Sequence, residues 1–150
     1  APLHDIGKVG IPDNILLKAG PLNLDEWTVM KTHASIGESV LEASAVNLKV
    51  RDQVIESAIR IAGGHHEKWD GTGYPRGLSG ERIPLDARIM ALADMYDALV
   101  TKRPYKDSWS HEQAIEEIVS KKGTHLDPAV VEAFMIENDT FKEIAKRYQD

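Results

Sequence analysis

Six histidine and aspartate residues are the first candidates for chemistry in this chain, because each has a setting that a purely structural residue would not need. They are His4, Asp5, His33, His65, His66 and Asp94. The first two are adjacent, the last two histidines are adjacent after a pair of glycines, and the second aspartate lies within an apolar helical pattern. Burying a carboxylate is costly unless it is paired or binds a metal. We therefore expect these side chains to share one site.

The chemistry that these side chains favour is metal binding. Imidazole nitrogens and carboxylate oxygens suit Mn, Fe, Zn or Ni, and the chain contains no cysteine that could add a thiolate. A structural site needs only four ligands, whereas two metals about 3.5–4 Å apart would use all six candidates and would fit hydrolysis of a phosphate ester. Asp5 is the natural bridge between them because His4 fixes it beside one metal. For His4 or His33 alone, a hydrogen-bonded core residue is the better explanation, so the hypothesis depends on the whole set.

Two further strings, together with the six residues, resemble a known family. The strings are HHEKWDGTGYP at 65–75 and RPYK at 103–106. In combination they resemble the HD superfamily of metal-dependent phosphohydrolases and, within it, the HD-GYP subfamily. Members of that subfamily are bacterial cyclic di-GMP phosphodiesterases and serve as output domains of response regulators or other sensors. The resemblance extends from residue 1 to about residue 135.

The resemblance implies a role for each matching residue. The six candidates would ligate two or three divalent ions, with Fe or Mn as the metals, and Asp5 and Lys8 would be catalytic. Lys8, Arg103 and Lys106 would face the phosphate, where fixed cations stabilise developing negative charge. Tyr74, in the glycine-rich loop, would lie on the substrate side. The family also implies that this loop contacts diguanylate cyclase (GGDEF) domains. Without the resemblance, Lys8 and Lys106 are better explained as solvated surface lysines, and Arg103 as a cap of the preceding helix.

The activity implied by the resemblance is hydrolysis of cyclic di-GMP to linear pGpG, with further cleavage to GMP as a second step. Two alternatives stay open at this point. The chain could be a non-catalytic module that binds metal or cyclic di-GMP and signals by contact, or an HD-type phosphohydrolase that acts on another nucleotide. Binding of cyclic di-GMP without turnover would separate the first alternative from catalysis.

The chain departs from the family pattern at its beginning. The family carries further ligands upstream of the His-Asp pair, a histidine and often a glutamate, whereas only Ala1, Pro2 and Leu3 precede His4 here. We expect residues 1–150 to be an HD-GYP domain without its N-terminal part, preceded in the parent protein by a sensor or receiver domain. Loss of ligands weakens metal binding, and exposed apolar surface at the missing helices would favour a homodimer or exchange of helices.

The elements that must position these residues are predicted to be helices. Apolar residues recur at helical spacing in most segments, and the predicted fold class is all-α, an HD-domain-like helical bundle with a long Gly/Pro-rich loop at 70–83. His33 lies one turn after Met30 and is expected to point into the core. Capping boxes, prolines and glycines mark the ends. The predicted helices cover 23–44, 52–62, 85–100 and 110–123, with a fifth beginning at Pro128 and a short sixth at Thr140.

Four aromatic and imidazole residues outside the set are assigned structural positions. Trp69 and Trp109 are expected to pack in the core or at its edge, because tryptophan at a loop end most often packs. His111 and His125 are predicted to be surface residues and not ligands.

Length and charge limit the remaining possibilities. The chain has 150 residues, enough for one domain, and 18 basic against 24 acidic residues give a formal charge of −6. A basic footprint for double-stranded nucleic acid is absent, although metals and local cations permit a small anionic ligand. No apolar run approaches the ~18 residues of a membrane span, and the N-terminus has no signal-peptide pattern. We expect a soluble, cytoplasmic protein.

Overall fold

The computed structural model describes residues 3–102 and 107–148, and within them it contains helices but no strand. The predicted all-α fold class is confirmed. No helix in these ranges combines the length and apolar composition that crossing a membrane requires. Short 3-10 helices cover Ile6–Gly10 and Gly80–Arg82. The α-helices are α1 (Asp13–Leu16), α2 (Leu24–Lys31), α3 (His33–Leu48), α4 (Gln53–Gly64), α5 (Leu85–Val100), α6 (His111–Ser120) and α7 (Pro128–Arg147).

The predicted helix at 23–44 is two helices in the structure. Asn23 and Glu26 form the expected capping box at the start of α2. At Thr32, however, both the amide and the hydroxyl donate to the carbonyl of Val29, at 3.1 and 2.6 Å. This i→i−3 pairing tightens the turn and interrupts the regular helix. The prediction of one helix is wrong because the apolar spacing continues across the interruption.

Helix α4 ends at the predicted glycine pair, with Gly63 and Gly64 as its last two residues. Asp52 caps the other end by accepting from the amide of Ile55. A Cβ atom at Gly63 would overlap the carboxylate of Glu38 on α3. This glycine therefore also allows close packing between α4 and α3.

The C-terminal helices agree with the prediction except at two ends. Helix α5 has the predicted bounds, Ser110 and Gln113 form the expected capping box, and Pro128 is the first residue of α7. Helix α6 ends at Ser120, before the predicted Gly123. The predicted start of a sixth helix at Thr140 is wrong, because Thr140 lies inside an uninterrupted α7 and its hydroxyl donates to the side chain of Glu137.

Two hydrophobic clusters hold the helices together, and they differ in size. The smaller lies between α3 and α4 and consists of Leu41, Ile59 and Ala62. The larger joins α5, α6 and α7. Its buried members are Ala91, Leu92, Tyr96, Ala114, Ile118, Leu126, Val131 and Phe134.

Candidate metal centre

The six predicted ligands meet where the 3-10 helix Ile6–Gly10, α3, α4 and α5 approach one another. Each lies within a helix or directly beside one end of it, so helix packing sets their relative positions. The contributing residues are His4 and Asp5 before the 3-10 helix, His33 at the start of α3, His65 and His66 directly after α4, and Asp94 within α5.

Gly7 allows the first of these elements to lie directly on α3. It is buried, and a Cβ atom at this position would overlap the carbonyl oxygen of His33 and the amide of Gly37. Any larger residue would push the 3-10 helix away and carry Asp5 out of reach of His33. Sequence reasoning missed this glycine, since its necessity depends on a contact with residues 26 or more positions away.

Asp5 is the central residue of the cluster. One carboxylate oxygen, Oδ1, lies 3.5 Å from Nε2 of His33 and 3.5 Å from Nε2 of His65. The other, Oδ2, lies 3.2 Å from Nε2 of His4 and 3.1 Å from Nζ of Lys8. The Nε2 atom of His4 also lies 3.6 Å from Oδ1 of Asp94. One carboxylate thus connects residues from three helical elements.

Two imidazoles are fixed so that a lone pair faces Asp5. Nδ1 of His33 lies 2.8 Å from the carbonyl oxygen of Met30, and Nδ1 of His65 lies 2.8 Å from that of Ile61. Since a carbonyl oxygen only accepts, each Nδ1 carries the proton and each Nε2 carries a lone pair. Both Nε2 atoms are buried and have no hydrogen-bond partner among the described residues. Backbone carbonyls orient metal-ligating histidines in the same way.

A cation is what this arrangement requires. Two imidazole lone pairs and a carboxylate oxygen face one another in a buried space, and buried polar atoms without a partner are rare in folded proteins. Nitrogen and oxygen donors of this kind suit a divalent transition metal. The donor atoms form two groups, and within each group all of them lie within 4.8 Å of one another. The first group is Asp5, His33, His65 and His66, and the second is His4, His65 and Asp94. The residues present therefore fit a metal centre.

The electrostatics keep these groups in the forms that bind metals. Contact with His4, and then with His65, holds the pKa of the Asp5 carboxyl far below its usual range. Contact with His4 also lowers the pKa of Asp94. Burial lowers the pKa of His33 and lowers that of His66 to about 3. At neutral pH the carboxylates are ionised and these two imidazoles are neutral, as ligation demands.

Tyr74 lies against the cluster from the glycine-rich loop. Its ring stacks on that of His66, with 4.9 Å between ring centroids and 16° between ring planes. Burial, and then the charges of Asp5 and Asp94, raise the pKa of Tyr74 to about 12. The hydroxyl therefore stays protonated at neutral pH and can donate a hydrogen bond beside the centre.

The cations predicted to face a phosphate have different positions. Nζ of Lys8 contacts Asp5, and the Lys8 side chain is partly exposed beside the cluster. Arg103 and Lys106 lie outside the described residues. Lys31, which sequence reasoning missed, places Nζ 5.5 Å from the ring centroid of Tyr74. Its position two residues before His33 was the sequence signal that could have placed Lys31 near the cluster.

The residues assigned to structural positions lie away from the donor atoms. The prediction that His111 is a surface residue is wrong. Its Nδ1 lies 2.8 Å from the hydroxyl oxygen of Tyr96 and its Nε2 lies 3.2 Å from the side-chain oxygen of Asn138, so it joins α5, α6 and α7. His125 is also partly buried, and burial lowers its pKa. The sequence pattern missed both because each partner lies in a different element.

Trp69 and Trp109 both lie at the edge of the packed structure. Trp69 is partly buried, its amide donates to the carbonyl of His125, and the guanidinium of Arg88 lies 6.0 Å from its ring centroid. Trp109 is 36% exposed, and its amide donates to the carbonyl of Leu99 at the end of α5.

Comparison with known proteins identifies the family of the chain that carries this cluster. A family model described as "HD domain" matches residues 1–130. The chain belongs to the HD-domain family. The family predicted from the sequence is thereby confirmed, and its membership supports divalent-metal binding by the histidine and aspartate cluster.

Two curated relatives are similar to the chain over its whole length. The chain is 55% identical over 150 residues to a "Probable cyclic di-GMP phosphodiesterase" of Vibrio cholerae, covering 100% of this chain and 34% of that protein. It is 45% identical to a "3'3'-cGAMP-specific phosphodiesterase 2" of the same organism, covering 100% of this chain and 28% of that protein.

A solved cyclic GMP-AMP-specific phosphodiesterase of V. cholerae superimposes with a TM-score of 0.61 at 22% identity, covering 97% of this chain and 40% of that one. This likeness confirms the predicted HD-type fold. The chain spans about a third of the length of the curated relatives it matches.

Proposed function

We propose that this chain is the phosphodiesterase part of a longer protein and that it hydrolyses cyclic di-GMP to linear pGpG, with GMP as the product of further cleavage. The observation that carries the proposal is the convergence of Asp5 with the buried, unpartnered Nε2 atoms of His33 and His65. The name of the relative at 55% identity supports cyclic di-GMP as the substrate.

We assign the metal ions to the six converging residues. The ions would be two or three in number, with Fe or Mn as the metals, and Asp5 would be a ligand through both of its oxygens, since both face imidazole nitrogens. Bound ions supply Lewis-acid stabilisation of the phosphate and lower the pKa of a water that attacks phosphorus. The ligands are His4, Asp5, His33, His65, His66 and Asp94.

The surrounding side chains bind and orient the anionic substrate. Lys8 keeps a positive charge beside Asp5 and is partly exposed, so it can pair with a phosphate oxygen. The protonated hydroxyl of Tyr74 donates a hydrogen bond from the loop side. Arg103 and Lys106 are proposed as further phosphate ligands on their sequence match alone. Fixed donors of this kind stabilise charge that develops in the transition state.

The wider setting of the chain is also a proposal. We retain the expectation that an upstream sensor or receiver domain controls it, that the upstream segment completes the ligand set, that the loop around Tyr74 contacts GGDEF domains and that it acts in the cytoplasm. The greater length of the relatives leaves room for such additional domains.

The proposed activity is tested by anaerobic turnover. The chain is loaded with Fe(II) or Mn(II), supplied with cyclic di-GMP, and the linear dinucleotide is followed by chromatography. We expect product from the unmodified chain, none above background from His65→Ala, and unchanged turnover from His125→Ala, since His125 lies outside the donor groups. Loaded protein that leaves cyclic di-GMP intact while cleaving another phosphoester would contradict the substrate assignment.

A second substrate has a specific observation in its favour. The relative at 45% identity is named for 3'3'-cGAMP, which differs from cyclic di-GMP in one base. Supplying both nucleotides at equal concentration measures the ratio of their kcat/KM values directly. We expect cyclic di-GMP to be consumed first. Binding of either nucleotide without cleavage would favour the non-catalytic alternative.

A further inference from the structure

Glu67 is a buried carboxylate that the proposed reaction does not use. It directly follows His66, and only 2% of it is exposed. An ionised carboxylate in such surroundings is costly unless hydrogen bonds compensate for its lost hydration. Here its Oε2 accepts from the amide of Arg76 at 3.0 Å and its Oε1 accepts from the amide of Leu78 at 3.1 Å. The carboxylate thus holds the backbone of the glycine-rich loop at two points.

The loop held by Glu67 lies directly on the backbone that carries the histidine pair. A Cβ atom at Gly73 would overlap the carbonyl oxygen of His66 and the amide of Lys68. The amide of Tyr74 donates to that same carbonyl, at 3.2 Å. Such close approach leaves the loop little freedom while its two amides stay bound to Glu67. The position of Tyr74 over the His66 ring follows from this arrangement.

A second contact holds the outer side of the loop. The guanidinium of Arg76 lies 2.7 Å from Oε1 of Glu38 on α3, and both side chains are partly exposed. Exposed ion pairs contribute little, roughly 0–1 kcal/mol, whereas hydrogen bonds from backbone amides to a buried carboxylate are charge-assisted and stronger. Glu67 is therefore the principal anchor of this segment.

We infer that Glu67 is a positioning residue: by binding the amides of Arg76 and Leu78 it keeps the Tyr74 ring stacked on His66. The stack limits rotation of the His66 imidazole and keeps its donor nitrogen within the group that contains Asp5. Glu67 belongs to neither group of donor residues in the described part of the chain, so it acts only through the loop. The consequence for catalysis rests on the proposed function, whereas the consequences for the loop and for metal affinity do not.

The direct test replaces Glu67 with an isosteric residue. Glu67→Gln keeps the shape but turns an amide group toward one of the two backbone donors. We expect amide hydrogen exchange at residues 76 and 78 to accelerate at least about tenfold, since one amide loses its acceptor and the other keeps only a neutral one, which weakens the hold on the loop. We expect Mn(II) affinity, measured by calorimetry, to fall roughly 10- to 100-fold, as loss of an outer partner of a ligating histidine does.

A matched control separates positioning from general destabilisation. Asp127 is similarly buried, accepts from the amide of Ala129 at 2.9 Å and pairs with Arg88 at 2.6 Å, but it lies at the start of α7, outside the donor groups. Asp127→Asn should leave exchange at residues 76 and 78 and Mn(II) affinity within about twofold of the unmodified chain. Equal losses of affinity in both variants would overturn the inference.

A double-mutant cycle tests whether Glu67 acts through Tyr74. In a Tyr74→Ala background, Glu67→Gln should cause no further loss of Mn(II) affinity, because the stack is already gone. Additive losses would overturn the inference. If Glu67→Gln does not fold, as judged by circular dichroism, Glu67→Asp keeps the charge with shorter reach and should show the same changes at smaller size. Unchanged affinity in Glu67→Asp together with faster exchange would also overturn it.

Turnover separates this inference from the proposed function. At saturating Mn(II), Glu67→Gln should lower kcat by the same factor as Tyr74→Ala. If neither the unmodified chain nor any variant cleaves cyclic di-GMP, the proposed function fails. The exchange and affinity measurements still decide the role of Glu67 in that case.

Discussion

Helix α5 borders two regions that satisfy their buried groups in opposite ways. On one side, the larger cluster is completed by aromatic contacts, with ring centroids 5.3 Å apart for Tyr96 and Phe141 and 4.8 Å apart for Phe134 and Phe141. Its polar atoms are paired, as the Tyr96 hydroxyl and His111 show. On the other side, the metal region combines a small apolar cluster with two buried imidazole nitrogens that have no hydrogen bond to any described residue.

The difference indicates that one region stabilises the fold and the other holds a group of metal-binding side chains. Apolar burial stabilises the α5–α6–α7 cluster without any ligand. The metal region keeps lone pairs directed at one another, which is unfavourable until a cation lies between them. A ligand that binds only the folded state then adds stability by mass action. One region therefore sets the position of α5, and the other includes the Asp94 carboxylate of that helix in a group of donor atoms.

Of the changes that test the difference between the two regions, removing the Asp5 carboxylate should have the largest effect. Asp5→Ala takes away the oxygen that lies 3.5 Å from both His33 and His65. We expect Mn(II) affinity to fall by at least about a hundredfold, since the loss of even an outer-shell partner costs 10- to 100-fold, and turnover to fall below detection. Calorimetry and the chromatographic assay measure both, with Asp139→Ala on α7 as the exposed control. Full metal binding by Asp5→Ala would remove the distinction between the regions.

Emptying the aromatic cluster should affect stability alone. Phe134→Ala leaves a cavity in the larger cluster and should lower the free energy of unfolding by about 3–5 kcal/mol. Urea denaturation of the metal-free chain measures the loss. The Mn(II) affinity of the folded fraction should stay within about twofold, because Phe134 contacts no donor atom. A parallel collapse of metal affinity would show that the two regions do not act separately.

Lowering the pH should reduce the free energy of unfolding of the metal-free chain through the histidines of the candidate centre. The pKa of His66 falls from 6.5 to about 3 on folding, and that of His33 is also lowered. Between these values the unfolded chain binds protons that the folded chain does not, so stability rises with pH there and is lost as pH falls below 6.5. Urea denaturation from pH 7 to pH 4 measures the slope. His66→Gln should reduce it, whereas an unchanged slope would contradict the assigned protonation of His66.

A change in the middle of α7 should have the smallest effect. Thr140 lies within the helix, where threonine is less favourable than alanine by up to about 0.7 kcal/mol. Thr140→Ala should therefore raise the thermal midpoint slightly and leave Mn(II) affinity unchanged. A lower midpoint would indicate that Thr140 caps a separate helix, as the sequence pattern alone predicts.

Local signals in the sequence predicted the parts of the fold that neighbouring residues decide. The capping boxes at Asn23 and Ser110 and the proline at the start of α7 mark helix starts correctly. The interruption at Thr32 and the continuity of α7 past Thr140 were missed, because the same short motifs occur at helix ends and inside helices. Tertiary packing decides between the two outcomes.

The candidate site was predictable as a set of residue types and not as a geometry. Histidines and aspartates in apolar settings identify themselves, since their burial needs a reason. The contributions of Gly7 and Glu67 depend on contacts across the fold, so spacing along the chain does not reveal them. The phosphate-facing roles of Arg103 and Lys106 remain predictions from the family resemblance.

The most direct test of the central claim is a count of bound metal. The chain is loaded anaerobically with Mn(II), desalted, and its manganese is measured by mass spectrometry beside His65→Ala and His125→Ala. We predict at least one ion per chain in the unmodified protein and in His125→Ala, and a loss of manganese in His65→Ala. Equal manganese in all three proteins, or none in the unmodified chain, would contradict a metal centre built on Asp5, His33 and His65.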